Sequence, residues 1–327
     1  MRILIGAALA LLLALPSGAR AQEKISIPSI TPASLAGFLH REGQPAIVTG
    51  ELYLPAQARA PMPVLVLKHG SGGLGGANGV AIRQWAAFVA SWGVAALVVD
   101  SFGPRGISNT GENQGQLSSW ADVADAFSAL KVLGADPRFD RARIGIMGWS
   151  RGGSVALETA LETLRTRIIA DDLKFAAHVV FYGAASFQYR DRATDRAPML
   201  FFHGEADNYV PVGPTREFAD WAQSMGNPVT FVAYPGAYHD FDVEGGFHGF
   251  ARSLEVGAHC DLVMDVTNGH VLRMDHKDNP GASLEAVRGY FRSCVTRGAN
   301  LAYNAAARAD AAEKLHAFLR QYLGAAG

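Results

Sequence analysis

Six short apolar runs punctuate the chain, at residues 64–70, 94–100, 143–149, 176–183, 198–204 and 229–235. They are rich in β-branched and aromatic residues and barely alternate with polar ones, the pattern of strands buried on both faces. A further run, 46–55, alternates more and predicts an outer antiparallel strand. Between the runs lie segments with helical spacing, at 81–92, 119–133, 154–164 and 215–225, and a terminal segment at 305–323 carries an apolar stripe. Strands alternating with helices predict an α/β fold whose mostly parallel central sheet is flanked by helices on both faces.

Two stretches break this rhythm. Residues 103–118 form a polar, glycine-rich loop directly after a strand, and loops of that length are usually functional or disordered. Residues 240–300 show no strand–helix rhythm and hold both cysteines, which predicts an insertion before the C-terminal helix and a possible lid.

The N-terminus changes the expected compartment. Arg2 precedes an apolar run at residues 3–15, and Ala19 and Ala21 form a small-x-small site before Gln22. The run is shorter than the roughly 20 residues a membrane span needs, so residues 1–21 are predicted to be a cleaved signal peptide rather than an anchor. Cleavage there leaves residues 22–327 as one domain, exported to the periplasm or secreted. In such a compartment Cys260 and Cys294 are expected to form a disulfide, with no free thiol left. Lys plus Arg number 29 against 30 Asp plus Glu, a balance that argues against nucleic acid or an anionic membrane as the main partner.

In a parallel α/β sheet ligands bind at the carboxyl ends of the strands, so the residues that end the runs carry the candidate chemistry. Ser150 follows the run 143–149 within "GWSRGG", and a helical pattern follows it. G-x-S-x-G alone is common, but strand–turn–helix is the context of a nucleophile elbow, where glycines let the backbones pass closely. A serine hydroxyl needs a base, and His239 follows the last sheet strand. The other histidines fit less well: His69 and His203 precede glycines as turn elements, and His178 lies inside a strand. The base needs an orienting acid, and Asp207 follows the run 198–204. Glu205 is its nearest rival, while Asp240 and Asp242 adjoin the histidine too closely in sequence to face it.

The order Ser150, Asp207, His239 is the one expected on an α/β-hydrolase scaffold. Its oxyanion hole would use the N–H of Arg151 and that of Ser71, with Gly72 as second choice, in the loop "KHGSGGLGG". That loop lacks P-loop spacing, so no nucleotide is expected. His248, His259, Cys260, Asp261, His270, Asp275 and His276 lie in the insertion without metal-ligand spacing, so no metal is expected. Phe102, Arg105, Trp149 and Tyr209 are candidates to line the substrate pocket.

The stretches "DPRFDRARIGIMGWSRGG", "HGEADNYVP" and "YPGAYHDF" together resemble the dienelactone hydrolase family of α/β-hydrolases, over roughly residues 46–245 and the terminal helix. The resemblance implies Ser150 as nucleophile, Asp207 as acid, His239 as base and an oxyanion loop around Ser71. Two departures stand out. The family's elbow usually carries cysteine, and its members hold a substrate carboxylate with arginines, one at a place occupied here near Val243. Arg105 could supply one cationic contact. The expectation is an exported serine hydrolase that cleaves small-molecule carboxylic esters through an acyl-enzyme, needing no cofactor and no membrane anchor. A peptidase or acyltransferase on the same three residues, and a non-catalytic binding protein, are the alternatives.

Overall fold

The computed structural model describes residues 23–57, 59–185, 187–190, 193–260, 262–273 and 283–326. The expected signal peptide, and Asp261, Asp275 and His276, lie outside the described residues. In chain order the elements are β1 (Glu23–Thr31), α1 (Leu35–Leu39), β2 (Gln44–Tyr53), β3 (Met62–Lys68), α2 (Gly76–Ser91) and β4 (Ala95–Asp100). There follow α3 (Ser119–Ala135), β5 (Phe139–Trp149), α4 (Arg151–Glu158), α5 (Glu162–Ile168), β6 (His178–Phe181), β7 (Phe187–Tyr189), β8 (Met199–Gly204), α6 (Val212–Ser224) and β9 (Val229–Tyr234). The inserted segment contributes β10 (Gly249–Val256), β11 (Leu262–Asp265), β12 (His270–Arg273), α7 (Leu284–Cys294) and β13 (Thr296–Leu301), and α8 (Ala305–Tyr322) closes the chain.

The main sheet has eight strands in the order β1-β2-β4-β3-β5-β6-β8-β9. From β4 to β9 every pairing is parallel, and β2 runs antiparallel to β4 as its alternating pattern predicts. β1 extends the sheet beyond β2. The apolar pattern gave no expectation for this stretch, which carries Pro28, and proline is tolerated at such an edge. The central strands are fully buried, β3 and β8 along their whole length. One face packs on α1, α3, α4, α5 and α6, through residues such as Phe38, Phe127, Leu157 and Phe218, and the other on α2 and α8, through Trp85, Val89, Leu315 and Leu319.

The segment expected as one helix at 154–164 is two, α4 and α5. The chain leaves the helix at 159–161, where Leu161 bridges to Thr194. In the inserted segment β10 pairs with β13, and β11 pairs with β12 and, in parallel, with β7. Cys260 and Cys294 form the expected disulfide, which ties the end of α7 to the turn ahead of β11. Among the described residues no helix is long and apolar enough to cross a membrane.

Candidate active site

Three strand ends meet at the carboxyl edge of the sheet. Ser150 sits between β5 and α4 at φ 51° and ψ −117°, in the positive-φ region that non-glycine residues rarely occupy. Its amide donates to Phe181 O at 2.9 Å, and Ser154 N donates to Ser150 O at 2.9 Å, so both sides of the turn are bonded. The neighbouring glycines are sterically required. A Cβ on Gly148 would lie 2.0 Å from Gly152 O, and one on Gly152 would lie 2.2 Å from Lys68 O. The turn therefore presses against β3 and lifts the Ser150 side chain into an open pocket.

His239 follows β9 and lines the same pocket as Ser150. Its Nδ1–H donates to Asp207 Oδ2 at 2.7 Å. Asp207 Oδ1 accepts from the amides of Tyr209 and Val210, both at 2.9 Å, which fixes the carboxylate's direction. Burial disfavours charge on His239, but Asp207, with Asp240 and Asp242 nearby, outweighs it and raises the pKa above the ordinary 6.5. Glu205, the rival acid, is exposed. Among the described residues no hydrogen bond joins Ser150 to His239. The two face each other across a pocket that is open to a reactant.

Ser71 and Gly72 line this pocket too, and among the described residues neither of their amides, nor that of Arg151, donates within the protein. The loop they belong to is held by His69. Its Nε2 accepts from Ser101 N at 3.2 Å, so Nδ1–H is free to donate to Gly70 O at 2.8 Å. The Arg151 side chain turns inward instead, donating to Asp122 Oδ2 at 2.8 Å and to Leu117 O at 2.7 Å. Lys68, fully buried at the end of β3, lies 3.6 Å from Asp122 Oδ1. Burial opposes the charge of Asp122, yet Arg151 and Lys68 together lower its pKa to about 2. One carboxylate thus joins the strand ahead of the Ser71 loop to the residue after Ser150.

The pocket candidates divide. Tyr209 lines the site, its ring 4.8 Å from that of His239. Trp149 lines it while its Nε1–H is bonded to Asp242 at 2.8 Å. Arg105 and Phe102 are corrected. Arg105 donates to both oxygens of Asp125, at 2.7 and 3.0 Å, and to Thr31, Ser101 and Ile30, so its guanidinium is consumed in pinning its loop to α3 and β1. Phe102 is 1% exposed and packs with Leu117 and Ala121.

Sequence reasoning missed one contributor, Gln114, and set two others aside, Asp240 and Asp242. Asp242 is fully buried and accepts from Trp85, Trp149 and Tyr182 at 2.7, 2.8 and 2.6 Å. Burial still pushes its pKa up, against those three donors. Tyr182 in turn packs its ring 4.5 Å from His239, so this buried carboxyl braces both the elbow and the histidine. Gln114, in the 103–118 loop, accepts from Ser71 Oγ at 2.9 Å and donates to the Tyr209 hydroxyl at 2.9 Å. Asp240 lines the pocket beside His239, and burial raises its pKa to about 6. No local signal marks Asp242 or Gln114, whose partners are brought to them by the tertiary fold. Among the described residues no group of three or more His, Cys, Asp and Glu side chains is placed to hold a metal ion.

The family model described as the dienelactone hydrolase family matches residues 48–253. An uncharacterized peptidase of Bacillus subtilis, YuxL, is 22% identical over 149 residues, covering 38% of this chain. The match spans only 23% of that relative's length. Among solved structures, esterase 2 of the planctomycete Thermogutta terrifontis with propionate bound is 22% identical, over 59% of this chain and 80% of that one, with a TM-score of 0.46. Its apo form is 23% identical, over 61% and 82%, with a TM-score of 0.47.

Proposed function

This chain belongs to the dienelactone hydrolase family, and we propose that it is a serine hydrolase that cleaves carboxylic esters through an acyl-enzyme. The observation that carries this reading is the strained Ser150 at the head of α4, sharing a pocket with a His239 that Asp207 holds at 2.7 Å. In the proposed reaction His239 Nε2 takes the proton from Ser150 Oγ as that oxygen attacks the ester carbon. The carbonyl oxygen becomes an oxyanion, which the amides of Ser71 and Arg151 stabilise, with Gly72 next to them. The carbon–oxygen bond to the alcohol then breaks, and His239 returns its proton to the leaving alkoxide. Water, activated by the same histidine, hydrolyses the Ser150 ester. Asp207 keeps Nδ1 protonated and stabilises the imidazolium.

The family's usual sulfur nucleophile is replaced by oxygen, and a hydroxyl has to be activated by the base at the moment of attack. The depth at which Asp207 and His239 are buried suits that demand, because charge pairing strengthens out of water. Export of the chain is part of the proposal, supported by the N-terminal pattern and by the disulfide.

The test is turnover of short p-nitrophenyl esters and labelling by a serine-directed phosphonate, with Ser150→Ala alongside. Wild type should turn over and label, and the variant should do neither. Absence of both in wild type would defeat the proposal, and labelling with cleavage of amides alone would make the protein a peptidase.

A further inference from the structure

Ser150 stands at the junction of two unequal spaces. On the His239 side is a pocket of about 150 Å³, bounded by Gly70, Gly72, Trp149, Tyr182, Asn78 and Asp240. On the other side a cavity of about 560 Å³ extends from Ser150 beneath the inserted segment. Ser154, Ala185 and Pro214 line it, together with Leu284, Val287 and Phe291 of α7. His239 borders the first and not the second.

Acyl transfer imposes a direction on this asymmetry. The leaving oxygen has to receive its proton from His239 Nε2, since Nδ1 is engaged by Asp207. The alcohol half of an ester therefore has to sit on the His239 side. The carbonyl carbon lies at Ser150 and its oxygen points to the Ser71 and Arg151 amides, which leaves the acyl chain only the opposite direction. Resting on the ester reading above, we infer that the large cavity is the acyl site and the small pocket the alcohol site, so that the substrates are esters of a small alcohol with a long or bulky apolar acid.

The character of the large cavity agrees. Its volume falls within the range of roughly 300–1,000 Å³ that holds drug-sized ligands. The arginines of α7 that border it, Arg288 and Arg292, are exposed at its rim. One buried carboxyl borders it: Glu158 Oε1 accepts from the Tyr189 hydroxyl at 2.8 Å, and among the described residues its Oε2 has no hydrogen-bond partner. The apolar positions Leu284, Val287 and Phe291 are spaced three and four apart, so one face of α7 is turned to the chain it would cover. The disulfide at Cys294 fixes that helix at its C-terminal end.

Two isomeric esters test the assignment directly. Ethyl octanoate and octyl acetate contain the same atoms, with the long chain on the acyl side in one and on the alcohol side in the other. The wild-type protein should favour ethyl octanoate in kcat/KM by at least about tenfold, as expected where several methylenes gain or lose a pocket. Equal rates, a preference for octyl acetate, or cleavage of neither by a protein that labels with phosphonate would overturn the assignment and leave the Ser150 chemistry standing. A protein that neither labels nor cleaves any ester would overturn the ester reading itself. Val287→Trp, which fills the cavity from α7, should lower the ratio of kcat/KM for ethyl octanoate over ethyl butyrate by about fivefold or more. An unchanged ratio in a variant that labels at the wild-type rate would count against the acyl site.

Discussion

The two walls around Ser150 are built in opposite ways. On the sheet side the groups that carry the chemistry stand on strand ends held by tight backbone contacts and buried hydrogen bonds. Gly148 is pressed against the backbone of Gly152, Gly152 against the end of β3, Asp207 is clamped by two amides, and His69 holds the carbonyl of Gly70. On the inserted side the wall is a helix, α7, none of whose residues is fully buried, anchored by a disulfide and covering the cavity with one apolar face. The difference separates precision from choice. Atoms that have to meet within a few tenths of an ångström are carried on strand ends that cannot move without disrupting the core. Residues that select a chain by its size sit on an appended segment whose side chains can change without disturbing that geometry.

The sharpest way to break this comparison is at the acid. Asp207→Asn should reduce kcat by about 10³–10⁴, because the amide can no longer hold His239 in its working tautomer. Glu205→Gln, two residues away and exposed, should change kcat by less than about twofold. The reverse ranking would place the acid elsewhere. Next in size is the elbow. Gly148→Ala puts a methyl 2.0 Å from a backbone oxygen, and the loss should reach about 3 kcal/mol in chemical denaturation.

A smaller effect is expected on the inserted side. Replacing both Cys260 and Cys294 by serine should cost about 2 kcal/mol of stability. Hydrogen exchange should quicken in α7 and stay slow in β3 and β8, and equal loosening of the central strands would remove the distinction between the walls. The smallest effect concerns pH. His239 has to be neutral to act as a base, so kcat/KM should fall as pH drops through a pKa above 6.5. Asp240, ionising at about 6 beside it, contributes negative charge that raises that value. Asp240→Asn should therefore move the acid limb of the profile down by about half a pH unit. A limb that moves upward would mean that Asp240 does not act on His239 through its charge.

What the sequence makes legible follows the same division. The strand pattern locates Ser150, Asp207 and His239 because each stands just past an apolar run, and local pattern is enough to find such places. The cysteine pair was legible from its count and the expected compartment. Arg105 and Phe102 misled because a loop residue can as readily serve the scaffold, and only packing reveals that Asp125 takes the guanidinium. Asp242 was discounted for its closeness to His239 in sequence, yet its three aromatic donors come from α2, the end of β5 and the residue after β6. The inserted segment gave no rhythm because its strands pair with distant partners, β10 with β13 and β11 with β7.

The central claim is that the oxygen of Ser150 carries the acyl group. Rapid acid quench of the protein during turnover of p-nitrophenyl butyrate, followed by mass spectrometry of its peptides, examines this directly. The expected result is a butyryl adduct on the peptide that contains Ser150, formed with a burst of p-nitrophenol near one equivalent and lost in Ser150→Ala. Steady turnover with no adduct at Ser150, or an adduct that survives the Ser150→Ala substitution, would contradict it.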